Sequence, residues 1–251
     1  MKEIFEKYAS NYDMTDVKIK HKLDHTMHVV EAAKMLGESL NLSDEDKYLA
    51  EVVALLHDIG RFEQLKRYDT FSDQNSIDHA DFAAILLFEE GLIDMFEIDE
   101  KYHQLIKKAI TYHNKLSIGE GLNEQELLHA KIIRDADKID IIESLPYFSQ
   151  IGMQEVDVAV NEAVMEYIRR EETVSYSLIE TPNDKLAISF AYVFDINYDE
   201  AIRIIYDNRY YEKYYDSLVY KKYFKETFDI VTNYMEKRLN LKEGYYVRSK
   251  I

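Results

Sequence analysis

Leu49-Ala50-Glu51-Val52-Val53-Ala54-Leu55-Leu56-His57-Asp58-Ile59-Gly60-Arg61-Phe62 decides how this chain is read. Leu49 to Leu56 is apolar apart from Glu51, the pattern of a helix with most of its surface buried. That helix runs straight into an adjacent His-Asp pair and then a glycine. A buried imidazole beside a buried carboxylate is costly unless something binds both. A divalent metal does so. Other candidate ligands are His25, His79, His113 and Asp137.

Helical periodicity extends outward from this stretch. Residues 22–40 read as a helix capped by Asp24 or an earlier residue. His25, Val29, Ala32, Ala33, Leu36 and Leu40 form its apolar stripe, which puts His25 on the inward face. Ser43 with Asp46 resembles a capping box opening the helix that ends at His57. Gly60 suits a left-handed position just past that end. Residues 64–75 read as a polar loop. Ser76 caps a helix through Glu90, stopped by Gly91, with His79, Ala83 and Leu86 on one face. A further helix covers 99–113, with Ile106, Ala109, Ile110 and His113 together. Asn123 and Glu126 cap a helix ending near Ser144, with Pro146 past its end.

Composition favours this all-α reading. The 251 residues are 47% hydrophobic and include only 7 Gly and 2 Pro, too few turn signals for a β-rich fold. The absence of Cys excludes disulfides, thiol nucleophiles and thiolate metal sites. A net charge of −17 argues against nucleic acid polymers and anionic membranes as partners. A small anionic substrate stays open, because bound metal reverses the local sign. The first residues lack an apolar signal core and no apolar run approaches 18 residues, so a cytoplasmic protein without membrane contact is expected.

Past Pro146 the composition changes. All eight His precede residue 130, and Tyr becomes frequent. Thr181-Pro182 looks like an N-cap with Pro at the first helical position, followed by helices at 182–194, 198–207 and 213–240. Residues 1–145 read as a metal-binding core and 146–251 as a helical extension packed on it within the same domain. The Tyr cluster at 206–224 reads as core and packing surface.

Taken singly, each candidate has a plainer reading. A His on an apolar face is commonly a hydrogen-bonded core residue, and Asp137 is a charge on a solvated face. Taken together, three segments resemble the HD-domain superfamily of metal-dependent phosphohydrolases. They are His25-Thr-Met-His28-Val-Val, His57-Asp58-Ile59-Gly60 and Arg134-Asp135-Ala136-Asp137-Lys138-Ile139-Asp140. The resemblance covers about residues 20–145 and implies an all-α HD-domain bundle. It implies ligation by His25, His57, Asp58 and Asp137, with Asp135 and Asp140 as the competing assignments.

His79 and His113 stand where binuclear members carry extra ligands. They imply a second ion with Asp58 bridging, or, beside a single ion, side chains that bind its water or a phosphate. One or two divalent ions per chain (Mn, Fe, Co, Ni, Zn or Mg) are therefore expected. Asn114 replaces a second adjacent His and no Gly-Tyr-Pro signature is present, so a cyclic dinucleotide is not supported. Arg61 and Lys138 are candidate phosphate contacts, with a surface Arg as the plain alternative for Arg61. Asp78 is a candidate orienter of His79. His28, one turn from His25, reads as a partner of the ligands rather than a ligand itself, and His21, His103 and His129 as surface or helix-face residues.

The expected function is hydrolysis of a small phosphate ester or anhydride, a nucleotide in the first instance, with Asp58, Arg61 and Lys138 as the catalytic set. The rivals are a di-iron oxygenase of the same fold and a non-catalytic metal- or nucleotide-binding module. A homo-oligomer is compatible with this reading.

Overall fold

A computed structural model of the chain describes residues 1–151 and 155–241. The remainder of the expected 146–251 extension lies outside the described residues. The described residues are helical, with no strand among them. The α-helices are α1 (Lys2–Ala9), α2 (Val17–Ser39), α3 (Asp44–Leu56), α4 (Gly60–Tyr68), α5 (His79–Phe88), α6 (His103–Tyr112), α7 (Glu124–Ile151), α8 (Glu162–Arg169), α9 (Pro182–Phe190), α10 (Asp199–Asp207), α11 (Tyr210–Ser217) and α12 (Lys225–Arg238). No helix among the described residues is long and apolar enough to cross a membrane.

The chain divides into two compact units, Met1–Asp137 and Lys138–Ile251. The cut falls inside α7, earlier than the 145/146 boundary expected from composition. Pro146 does not end α7, which continues to Ile151. An interior proline costs about 3 kcal/mol. Burial of Ile139, Ile142 and Leu145 on the same helix offsets that, at about 1.5–3 kcal/mol per large aliphatic side chain.

In the first unit α2 packs along α3, α5 lies against α4 and α6, and α3 meets α6. α2 starts earlier than expected, at Val17, where Asp16 accepts from Lys18 N. Its expected stripe is buried at His25, Val29, Ala32, Ala33 and Leu36. Ser43 caps α3 by accepting from Asp46 N. Leu49, Val52, Val53, Leu55 and Leu56 are all buried, so α3 delivers His57 and Asp58 into the interior. Asn123 and Glu126 form a reciprocal cap at the start of α7, with Glu126 N 2.9 Å from Asn123 Oδ1 and Asn123 N 2.8 Å from Glu126 Oε2.

Three local expectations are corrected. Gly60 is not a left-handed cap; it is the first residue of α4. Residues 64–68, expected in a loop, are helical, and Asp69 at φ 52° ends that helix. α5 begins at His79 and is capped by Asp78 rather than Ser76, because the Asp78 carboxylate accepts from Ala80 N and Asp81 N.

In the second unit α8, α9, α10 and α11 pack against α12. Thr181 and Asp184 form the expected capping box, with Pro182 at the first helical position. The single helix expected over 213–240 is instead α11, a 3-10 turn at Lys221–Tyr223 and α12. Tyr206, Tyr210, Tyr211 and Tyr214 are buried, in keeping with a packing role.

Candidate metal centre

The centre is built by residues from five helical segments of the first unit. α2 brings His25, the turn after α3 brings His57 and Asp58, and the first residue of α5 is His79. The end of α6 brings His113, and α7 brings Asp137. Gly60 makes the assembly possible. A Cβ at this position would lie 2.8 Å from both Ala83 N and His79 O, backbone atoms that cannot give way. Without a side chain, α4 can approach α5 closely enough to set the doublet beside His79.

Asp58 is the hub, with each carboxylate oxygen facing one pair of histidines. Its Oδ2 lies 3.5 Å from His25 Nε2 and 3.8 Å from His57 Nε2. Its Oδ1 lies 3.5 Å from His79 Nε2 and 3.8 Å from His113 Nε2. Asp137 adds a second carboxylate on the first side, with Oδ1 3.2 Å from His25 Nε2 and 3.9 Å from His57 Nε2. His79 Nε2 and His113 Nε2 are 3.0 Å apart. Two ring nitrogens that close share a proton or a cation, since two lone pairs would repel. Two His/Asp groups that share Asp58 can therefore hold metal, His25–His57–Asp58 and Asp58–His79–His113; Asp73, Asp78 and His79 form a third group, and in each the ligand atoms lie within 4.8 Å of one another.

The outer ring nitrogens are also held. His57 Nδ1 lies 2.7 Å from Ala54 O and His113 Nδ1 2.7 Å from Ile110 O. Donation to these carbonyls directs each Nε2 lone pair inward, as metal-binding histidines require. Arg134 secures the end of α6 behind His113 through Tyr112 O and Lys115 O, at 2.9 and 2.5 Å. His79 is oriented by Asp73, whose Oδ2 lies 2.5 Å from its Nδ1. Asp78, the expected orienter, caps α5 and accepts from Asn114 Nδ2 at 3.1 Å.

The electrostatics favour a cation. Burial works to raise the Asp58 pKa, but Lys22, His57, His79 and Arg61 outweigh it and hold the carboxyl well below its usual range. Burial would likewise raise Asp137, but His25, by hydrogen bond and charge, brings it down. Burial, with His79 and His57 alongside, lowers His113 to about 3, and burial also lowers His57. Asp58 and Asp137 are thus held ionised and His57 and His113 neutral, the forms that bind metal. His57 Nε2 and Asp58 Oδ1 are buried without a hydrogen-bond partner among the described residues. Such orphaned atoms are costly, and a divalent ion satisfies them. Nitrogen and oxygen donors without thiolate suit Mn, Fe, Co, Ni, Zn or Mg.

The cations around the centre differ from the expected pair. Lys22, one helical turn before His25, places Nζ 2.8 Å from Asp58 Oδ2. Arg61 Nη1 lies 2.8 Å from each of Gln64 Oε1, Phe71 O and Asp73 Oδ1, and its Nε stands 3.7 Å from Asp58 Oδ1. It is no surface arginine. Lys138 belongs to the second unit, where its Nζ pairs with Asp195 Oδ2 at 2.7 Å. His129, expected on a surface or helix face, is fully buried with Nε2 3.2 Å from Asp46 Oδ1. His103 contacts Ile98 O, His21 stacks on His25, and His28 belongs to neither ligand group. Lys22, Gln64 and Asp73 carried no sequence signal beyond Lys22 standing at i−3 to His25.

Comparison with protein families agrees with this geometry. Residues 23–142 match the family model of the HD domain. Over these residues the chain is similar to the HD domain. The match begins within α2, ends within α7 and takes in all six residues of the centre. HD domains are typical of metal-dependent hydrolases and bind divalent metals. No curated protein and no solved structure matches the chain significantly.

Proposed function

We propose that the protein is a metal-dependent phosphohydrolase that uses two divalent ions and acts on an ester or anhydride of a small phosphate compound, a nucleotide being the first class to test. The observation carrying this reading is the division of Asp58, with one oxygen toward His25 and His57 and the other toward His79 and His113. His25, His57, Asp58 and Asp137 would hold one ion; Asp58, His79 and His113 would hold the other. Bound ions of this kind supply Lewis acidity and a water whose pKa falls from about 15.7 toward about 7 in favourable zinc cases.

The chain's own residues do the rest. His57 and His113 keep their Nε2 atoms deprotonated and inward through their carbonyl partners. Lys22 and Arg61 flank Asp58 from two sides, and their positive charge would hold a phosphoryl group and stabilise charge developing on it. Both cations lie over the Phe71 ring, its centroid 5.7 Å from Lys22 Nζ and 5.7 Å from the Arg61 guanidinium carbon. Lys138, paired with Asp195, receives no role at the phosphate.

The test is elemental analysis of protein purified without chelator. A panel of phosphomonoesters, phosphodiesters and nucleotides should follow, with Mn, Co, Ni and Mg. Hydrolysis removed by EDTA and restored by metal is the expected result. An oxygen-dependent reaction at a coupled iron pair would replace this reading with the oxygenase. Tight ligand binding without turnover, metal being bound, would replace it with the binding module.

A further inference from the structure

His79 differs from His57 and His113 in what orients its ring. His57 and His113 each donate from Nδ1 to a carbonyl of their own chain three residues back. His79 instead relies on a side chain, Asp73, from the short 3-10 turn Asp73–Asn75. The Asp73 carboxylate is divided between two tasks. Its Oδ1 takes Arg61 Nη1 at 2.8 Å and Gln64 Nε2 at 3.0 Å, while Oδ2 faces His79 Nδ1 at 2.5 Å. Gln64, fully buried, also reaches Ser76 Oγ and Ile77 O, both at 2.9 Å. One oxygen is thus anchored from α4 and the other is aimed at the ring.

We propose that Asp73 is the positioning residue for the His79–His113 half of the centre, fixing the His79 ring so that its Nε2 faces Asp58 and His113. The inference rests on the two-ion reading above. A carboxylate on the outer nitrogen holds ring orientation and raises the basicity of the inner one, and losing such a partner costs roughly 10–100-fold in metal affinity. The His25–His57 half has no link to Asp73 of this kind, so the loss should fall on one ion alone. Arg61 leans on the same carboxylate, so the cation offered to a phosphate and the ligand offered to the second ion share one anchor.

Asp73→Asn tests this cleanly. Asparagine keeps the size and one oxygen for Arg61 and Gln64, but removes the charge facing His79. Asp73→Ala serves as the second variant. Chelator-stripped wild type, both variants and His79→Ala would be titrated with Mn by calorimetry, with stoichiometry from native mass spectrometry and folding from circular dichroism. In wild type, two ions should bind. In both Asp73 variants one binding step should weaken roughly 10–100-fold while the other is unchanged. Two ions retained at wild-type affinity in Asp73→Asn would overturn the inference alone, as would equal weakening of both steps. A wild type whose Mn loading is untouched by His79→Ala would overturn the two-ion reading and the inference with it.

Discussion

The two compact units bury polar groups in opposite ways. In the second, Asn183 exchanges hydrogen bonds with Val156 N, Val156 O and Val158 O. Asp184 accepts from Asn161 N, Glu180 N and Thr181 N, and Tyr211 and Tyr214 donate to Ser189 O and Leu186 O. These side chains serve the backbone. In the first unit, His25, His57, Asp58, His79, His113 and Asp137 face one another. Among the described residues, every buried side-chain polar atom without a hydrogen-bond partner lies in the first unit, at His57, Asp58, Arg61, Asn114 and His129. Buried polarity spent on backbone marks architecture. Buried polarity converging on a shared point marks chemistry.

Exchanging the two kinds of aspartate should expose this difference most sharply. Asp58→Ala should abolish retention of both ions, a loss beyond the roughly 10–100-fold expected for an outer partner, while helical circular dichroism survives. Asp184→Ala should do the reverse. Stranding three backbone donors should cost about 2–4 kcal/mol in denaturant unfolding, with metal content unchanged. Metal retention in Asp58→Ala, or metal loss in Asp184→Ala, would break the comparison.

Gly60→Ala probes the close approach behind the centre. A methyl group 2.8 Å from two backbone atoms must push α4 from α5, at about 1–3 kcal/mol of stability. Metal loading should fall at His79 and His113 more than at His25 and His57. An unchanged unfolding midpoint would show that the contact is dispensable.

The flanking cations should matter less. Lys22→Ala should raise the Michaelis constant for a phosphate substrate by about 10–100-fold, the worth of a charge-assisted hydrogen bond of about 1.5–3 kcal/mol. Turnover would fall instead if Lys22 acts only in the transition state. Parity with wild type on both constants would remove it from the site.

The smallest effect should come from a first-unit histidine outside the ligand groups. Burial lowers the His129 pKa, with Asp46 opposing. The folded state therefore binds this proton less readily than the unfolded state, whose value is about 6.5. Stability from this group is present above that pH and is lost as pH falls below it. His129→Gln should flatten the acid limb of a stability–pH profile without altering metal content.

Short-range patterns made much of this legible. The apolar run before His57, the stripe through His25 and the caps at Ser43, Asn123 and Thr181 are local, and the helical architecture follows from them. What escaped depends on distant contacts. Gly60 resembles any helix-end glycine until α5, some twenty residues on, is placed against it. Asp73 reads as one polar residue in a polar stretch, and Lys22 as a solvated lysine, because neither spacing nor hydropathy records what a long side chain reaches. The end of α7 is not legible in the sequence, because proline is a local signal, whereas the burial that carries the helix past Pro146 is tertiary.

If each half binds an ion, as proposed, the divided carboxylate of Asp58 makes the two halves thermodynamic correspondents. Whatever the ion in one half does to the affinity of the other, the second must do to the first by the same factor. A spectroscopically visible ion in the His25–His57 half would therefore report the filling of the His79–His113 half. The coupling constant measured from either direction must agree. That equality is a check on the shared oxygen pair that needs no substrate at all.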